Sequence, residues 1–435
     1  MPSSGAPAAA ARPTRVRWLM FLWVFLAAFV AYLQRTAMSV IAVPLNQQQG
    51  FTTPQIGWVF NAFMITYTAF QVPGGMLGQR LGPRRGTALW LAAAAAGTAA
   101  FALAPAFASG AALFAAMIVI RLLIGAAHGP LFPTNAGLMQ AWFPPRRWAL
   151  INGLQVTGLT LGGAAATPIV ASLMERSGWQ AAMLATCVPG VALALFWWWS
   201  VRDTPAEHAA VSAGEIAAIG AGREAALGAR FDWRAVGRLL ANRNVWWLTL
   251  GYLLQNYVYY FFWNWSFSYL VEGRHMTVPR SGWLAAIPLA SGAAGAWLGG
   301  QWCDLLCAKL GPRWGFRALP LLALPLAALL LLVVAHTSSD RVAIAALAGC
   351  FFATQLTQAP FWAAAYWVAP EQASMATGVL NAGGNLGGII GTWLVATLVG
   401  SASWPVAIAT GVGFALASAA TWIPVNAERR VRPAG

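Results

Sequence analysis

Two arginines stand where arginine is expensive. Arg35, in FVAYLQRTAMSV (Phe29–Val40), and Arg121, in MIVIRLLIGAAHG (Met117–Gly129), each lie inside a long apolar run. A charged side chain at the centre of a membrane helix costs at least about 2.5–3.5 kcal/mol on insertion scales. Arg35 precedes Val43 by eight residues, about 12 Å of helix, and Arg121 lies roughly 15 Å into its own run from the same side. At that depth a guanidinium must face a cavity or a partner. Its planar fork of donors fits a carboxylate, so Arg35 is expected to anchor an organic anion. The competing reading is a structural arginine held by carbonyls or by an acid on a neighbouring helix. For Arg121 a structural or gating role weighs as much as anion binding.

The acids sharpen the point. Glu175, Asp203, Glu207, Glu215, Glu224, Asp232, Glu272, Asp304, Asp340, Glu371 and Glu428 all fall in loops, a linker, helix ends or the tail. None lies deep in an apolar run, so neither arginine has an obvious counter-ion. His128 follows Arg121 by seven residues, two turns, and shares its face. Imidazole titrates near neutral pH, which makes His128 the candidate proton site; a neutral lining residue is an equal alternative. Tyr32, Gln34, Tyr67, Gln71, Asn381 and Asn385 add hydroxyls and amides to the same runs. Such groups can read substrate hydroxyls or only join helices. Gln255, Asn256, Tyr257, Tyr259, Tyr260 and Asn264 crowd one further run, where sequence does not say which face the cavity.

The elements that must position these groups are membrane helices. Of the 435 residues 59% are hydrophobic and 9% charged, and the mean hydropathy is +0.63. Apolar runs of about 20 residues, enough to span a bilayer as helices, recur throughout. Twelve are expected, over 18–43, 54–79, 86–104, 111–139, 148–173, 179–200, 245–271, 280–307, 316–335, 341–368, 373–399 and 403–425. The fold class is therefore an all-α membrane protein of twelve transmembrane helices in two six-helix bundles. The expected divisions are a cytoplasmic arm (1–17), a first bundle (18–200), a cytoplasmic linker (201–244), a second bundle (245–425) and a cytoplasmic tail (426–435). Within the linker, AGEIAAIGAGREAALGAR is expected to form a short surface helix.

Arginine placement orients the chain. Arg176, Arg274, Arg280 and Arg341 fall on one side and Arg35 and Arg121 within helices. Every other Lys and Arg falls on the side of the termini, so both termini are expected in the cytoplasm. The net charge of +15 is thereby retained loop charge and calls for no nucleic-acid partner. One lysine among so many arginines suggests a GC-rich bacterial genome, hence an inner membrane. No small-residue cleavage site follows the first apolar run, so it reads as a retained helix. Cys187, Cys303, Cys307 and Cys350 lack the four-ligand spacing of a zinc site and read as reduced thiols. No metal and no cofactor is expected.

The halves echo each other, with LGPRRG (Leu81–Gly86) after the second run and LGPRWG (Leu310–Gly315) after the eighth. A parallel repeat of six-helix halves is a transporter design, with substrate between the halves near the midplane. At PGGMLGQRLGPRRG (Pro73–Gly86) the chain resembles the loop between helices two and three of the major facilitator superfamily. YLQRTAMSVIAVP, RLLIGAAHGPLFPTNAGLMQAWFPP and GVLNAGGNLGGIIG resemble helices one, four and eleven of its anion:cation symporter family. YVYYFFWNWSFSYL is more loosely similar to helix seven.

The resemblance implies carriage of organic anions, such as sugar acids, usually with protons. It makes Arg35 a substrate contact and places Tyr32, Tyr67 and Asn385 along the cavity. It also exposes departures. Gln34 and His128 stand where relatives typically carry the proton-coupling carboxylates. Gln79 stands where the loop pattern has an aspartate that helps lock the inner gate, while Arg80, Arg84 and Arg85 remain and Asp304 is kept in the second half.

The expected function is thus secondary transport of a small organic anion by alternating access, with or without protons, by a monomer in a lipid bilayer. A proton-independent exchanger, exporter or facilitator is the alternative, and a transporter-like ligand sensor the third reading. No embedded acid, metal cluster or nucleophile–base pair marks an enzyme.

Overall fold

A computed structural model of the protein describes residues 13–144, 148–220, 233–369 and 373–429. The described residues are helical throughout, without a strand. In chain order the helices are α1 (Val16–Gln47), α2 (Thr53–Leu81), α3 (Pro83–Leu103), α4 (Gly110–His128), α5 (Leu131–Trp142) and α6 (Trp148–Ser200). The linker carries α7 (Ala213–Gly220) and α8 (Trp233–Leu240). There follow α9 (Arg243–Asn264), α10 (Ser266–Ser268), α11 (Val278–His336), α12 (Asp340–Leu356), α13 (Gln358–Val368), α14 (Ala373–Ser401) and α15 (Trp404–Thr421).

These elements make twelve passes. The long helices α6 and α11 are each two passes turned at a glycine, Gly178 (φ 81°) and Gly311 (φ 72°). That backbone region favours glycine, which lacks a Cβ. Conversely, α4 and α5 form one pass broken at Gly129–Pro130, and α12 and α13 one pass broken at Thr357. Eight helical stretches are long and apolar enough to cross a membrane by length and composition, and α2 and α9 are not among them. Those two are interrupted by the very residues singled out for chemistry: Tyr67 and Gln71 in one, Gln255, Asn256, Tyr257, Tyr259, Tyr260 and Asn264 in the other.

The internal repeat is visible in the backbone. Gly82 in LGPRRG has φ 81° and Gly311 in LGPRWG has φ 72°, so the two motifs make the same left-handed turn. The glycine ridges repeat too. A Cβ on Gly158 or Gly162 of α6 would meet Phe25 or the Phe29 carbonyl of α1. A Cβ on Gly383 or Gly387 of α14 would meet Thr249 or the Leu253 carbonyl of α9. Small residues let helix backbones approach closely, and here they join the same pair of passes in each half.

The halves meet through α2 with α14 and through α6 with α11. Gly57 packs on Ala396, Pro54 on Gly400, and Gly282 on Ala171 and Thr167. These contacts lie toward the face opposite the termini. Toward the terminus face, a Cβ on Gly300 or Gly378 would meet open space.

One linker expectation needs correction. The expected surface helix is described only as α7, with residues 221–230 outside the described set. And α7 is not simply a surface helix, because Glu215 is fully buried. Its carboxylate accepts from the backbone N–H of Val16 (3.1 Å) and Arg17 (3.2 Å) and from the Thr14 hydroxyl. It therefore caps the start of α1, where unpaired N–H groups and the helix dipole favour an anion.

Candidate functional site

Arg35 projects from α1 to the plane where the halves meet. It shares a face with Tyr32, three residues back, and its Nη1 donates to the Tyr32 hydroxyl at 3.3 Å. Its Nη2 donates to the Tyr260 hydroxyl of α9 at 3.2 Å and lies 3.1 Å from the Met64 sulfur of α2. The guanidinium carbon is 5.2, 5.3, 5.1 and 5.5 Å from the ring centres of Tyr32, Phe63, Tyr67 and Tyr260. Four aromatic faces within about 6 Å stabilise a cation through their quadrupoles, but none supplies negative charge. The described ion pairs are Arg17–Glu215, Arg274–Asp340 and Arg280–Asp340, and none includes Arg35. Arg35 itself is half-buried, so its fork keeps access to a ligand.

Neutral polar groups continue the site into the second half. The Tyr260 hydroxyl donates to Asn385 Oδ1 at 3.3 Å. The Asn385 Nδ2 is buried without a hydrogen-bond partner, an unspent donor one step from the guanidinium. Asn381, one turn away on α14, donates to Gln71 of α2 at 3.1 Å. With the Asn61 amide on the Ile389 carbonyl (3.1 Å), Arg35–Tyr260 and Gln71–Asn381 are the hydrogen bonds between halves among the described residues. The face of α2 that builds this wall recurs every four residues, as Val59, Phe63, Tyr67 and Gln71, which is the helical repeat of one face.

The structure thus brings together Arg35, Tyr32, Tyr67, Gln71, Asn381 and Asn385. It separates three other expected members. Gln34 is next to Arg35 in sequence but about 100° round the helix. Its amide donates to the Thr186 carbonyl at 3.1 Å, between α1 and α6 and away from the site. Arg121 does not share an open cavity with Arg35. It is 4% exposed, its Nε donates to the Val59 carbonyl at 3.2 Å, and its guanidinium carbon lies 4.7 Å from the Phe63 ring centre. The Phe63 ring is in contact with both guanidinium groups. His128 packs on the same ring at 5.5 Å. Its Nδ1 lies 3.1 Å from the Ile124 carbonyl, which requires Nδ1–H, and its buried Nε2 has no hydrogen-bond partner.

Sequence reasoning missed Phe63 and did not separate Tyr260 from its helical neighbours. The four-residue spacing to Tyr67 and Gln71 is the signal that finds Phe63. For Tyr260 no local signal exists. Around it Gln255 bonds α12 and Thr357, Tyr257 bonds Thr410, and Asn264 bonds Thr392.

The expected gate residues divide as well. Arg80, Arg85 and Asp304 are exposed, and no described ion pair includes Asp304. The side chain of Gln79 lies outside the described residues. Arg84 is held within its own half. Its backbone N–H donates to Asp203 Oδ1 at 2.6 Å and its Nε to the Trp198 carbonyl at 2.8 Å. An acid does therefore meet the loop, but it comes from the start of the linker, just beyond α6, and not from the loop's own sequence.

A probable sulfoacetate transporter of Cupriavidus necator is 29% identical over 371 residues, covering 83% of this chain and 82% of its own. A D-galactonate transporter of Escherichia coli O6:H1 is 27% identical over 397 residues, covering 88% and 89%. A bacterial homolog of the human lysosomal transporter Spinster, solved in an inward-facing and occupied conformation, superposes with a TM-score of 0.77 at 17% identity. It covers 96% of this chain and 99% of that one. That likeness concerns the fold. The family model of the Major Facilitator Superfamily matches residues 24–366. That match covers well over half of the chain, whose two six-helix halves share a glycine turn, and the chain belongs to the Major Facilitator Superfamily.

Proposed function

We propose that the protein carries a small organic anion, a carboxylate of the sugar-acid kind or a related acid, by alternating access across a bacterial inner membrane. Both termini then face the cytoplasm and the working unit is a monomer. The observation that carries this reading is Arg35: a half-buried guanidinium at the junction of the halves, bonded to two tyrosine hydroxyls and to no acid. A substrate carboxylate supplies the missing charge. It takes the fork of Arg35 in place of Tyr32 and Tyr260, while Asn385 Nδ2 and the amides of Gln71 and Asn381 read hydroxyls. Relatives named for sulfoacetate, galactonate and galactarate or D-glucarate support an organic acid.

Because Arg35 reaches Tyr260 across the junction, ligand binding at Arg35 bears directly on how the halves meet. Binding energy realised differently in two conformations is what shifts a transporter between them. The test is flux in proteoliposomes of the purified protein with a panel of labelled carboxylates, compared with Arg35→Gln. Saturable flux of an acid that is lost in Arg35→Gln supports the reading. Transport of neutral sugars with Arg35→Gln unimpaired refutes it.

A proton-independent mode is favoured by two placements. Gln34 is uncharged and committed to Thr186, and His128 is enclosed beside an aromatic ring and two cations. An inside-negative potential opposes anion entry by about 2.3 kcal/mol per charge per 100 mV, so an uncoupled carrier runs as an exporter or exchanger. Counterflow that persists when the pH gradient is collapsed supports this mode. Accumulation that requires the gradient and is lost in His128→Gln would instead make His128 the proton carrier.

A further inference from the structure

The ring that touches both buried cations has a consequence for substrate valence. Phe63 is 1% exposed. Its ring centre lies 5.3 Å from the Arg35 guanidinium carbon and 4.7 Å from that of Arg121. Tyr67 stacks on it at 5.6 Å and 14°, and His128 meets it at 5.5 Å and 63°, so its orientation is fixed by neighbours. Arg121 beyond it is 4% exposed, while Arg35 is half-buried. The site therefore offers a ligand one accessible guanidinium and otherwise neutral groups: three tyrosines, Gln71, Asn381 and Asn385.

We propose that Phe63 sets substrate valence. By screening Arg121 it makes the protein a carrier of singly charged acids and excludes their doubly charged counterparts. A second carboxylate or sulfonate would be buried against hydroxyls and amides without a cation, and a buried unpaired charge is strongly disfavoured. The proposal rests on the organic-anion reading above.

The experiment measures binding to matched pairs: acetate and sulfoacetate, butyrate and succinate, D-galactonate and galactarate. Purified wild type, Phe63→Ala, the bulk-retaining Phe63→Leu, and Phe63→Ala with Arg121→Gln are titrated by calorimetry. In wild type the monoanion of the responding pair should bind about tenfold or more tighter than the dianion, the scale of one charge placed with and without a cation. Phe63→Ala should move that ratio at least about tenfold toward the dianion, Phe63→Leu less, and Arg121→Gln in the Phe63→Ala background should restore it.

A wild-type preference for the dianion overturns the proposal even if no variant folds. So does a ratio unchanged in folded Phe63→Ala, or a shift that survives loss of Arg121. If no pair binds, the organic-anion reading falls and this proposal with it. If a monoanion binds equally well to Arg35→Gln, the Arg35 anchor falls while the valence ratio stays open to the same comparison and is decided by it.

Discussion

The two arginines should fail differently when removed. In Arg35→Gln the substrate loses direct contact. A charge-assisted hydrogen bond contributes about 1.5–3 kcal/mol, so a two-pronged fork on a carboxylate is worth about 3–6 kcal/mol. At about 1.4 kcal/mol per tenfold, Arg35→Gln should weaken binding roughly 100- to 10,000-fold. Arg121→Gln removes only a charge felt through space. The two guanidinium carbons lie 5.3 and 4.7 Å from the Phe63 ring centre, so they are at most about 10 Å apart. With an effective dielectric of about 20, a unit charge at that range contributes about 1–2 kcal/mol, or roughly 5- to 30-fold in affinity.

The assay is calorimetric titration of the detergent-purified variants with the best ligand of the carboxylate panel. Thermal unfolding verifies that each variant is folded. Equal losses for the two variants would refute the argument, because they would place Arg121 in contact with substrate and deny the screening role of Phe63. A near-neutral Arg35→Gln would refute it from the other side.

Other outcomes follow from contacts already described. Tyr260→Phe removes the hydroxyl shared by Arg35 and Asn385; because the bound acid displaces that hydroxyl from the fork, about 1 kcal/mol per hydrogen bond predicts a several-fold gain of affinity. A double-mutant cycle with Asn385→Ala should be non-additive, and additivity would deny the network. Gly387→Ala drives a Cβ into the Leu253 carbonyl and should destabilise by about 1–3 kcal/mol, lowering the melting temperature. Gly413→Ala, whose Cβ meets nothing within 4 Å, should not. Glu215→Ala leaves the first N–H groups of α1 uncapped; at about 2 kcal/mol hydrogen exchange there should accelerate roughly 30-fold. Unchanged protection would show that the carboxylate contributes nothing to holding α1.

Much of this architecture could be read from sequence because bilayers impose it. Apolar runs long enough to span, arginines held on one side and a duplicated glycine turn each have a local physical cause. The site was legible where charge made it conspicuous, at Arg35, and where residues four apart shared a face, as with Asn381 and Asn385. It failed where proximity in sequence was mistaken for proximity in space. Gln34 adjoins Arg35 yet serves Thr186, because one residue along a helix turns the side chain toward another neighbour. Asp203 shows the reverse relation, proximity in space without proximity in sequence. The loop after α2 carries no acid of its own, yet Asp203, over a hundred residues away, accepts from its Arg84 N–H. Phe63 carried no polar flag at all, and its importance rests on what stands on either side of it.

The attachment of α7 bears finally on how far the halves can travel. Glu215 binds the first part of the linker to the start of α1, and Leu239 of α8 is buried in a cluster with Phe316 and Val425 of the second half. Each end of the linker is thus fastened to a different half. Only residues 221–232 lie between these anchored pieces. Any travel of one half relative to the other therefore also separates α7 from α8, since each moves with its own half. Among the described residues, three hydrogen bonds and close contacts of small residues join the halves at the junction itself.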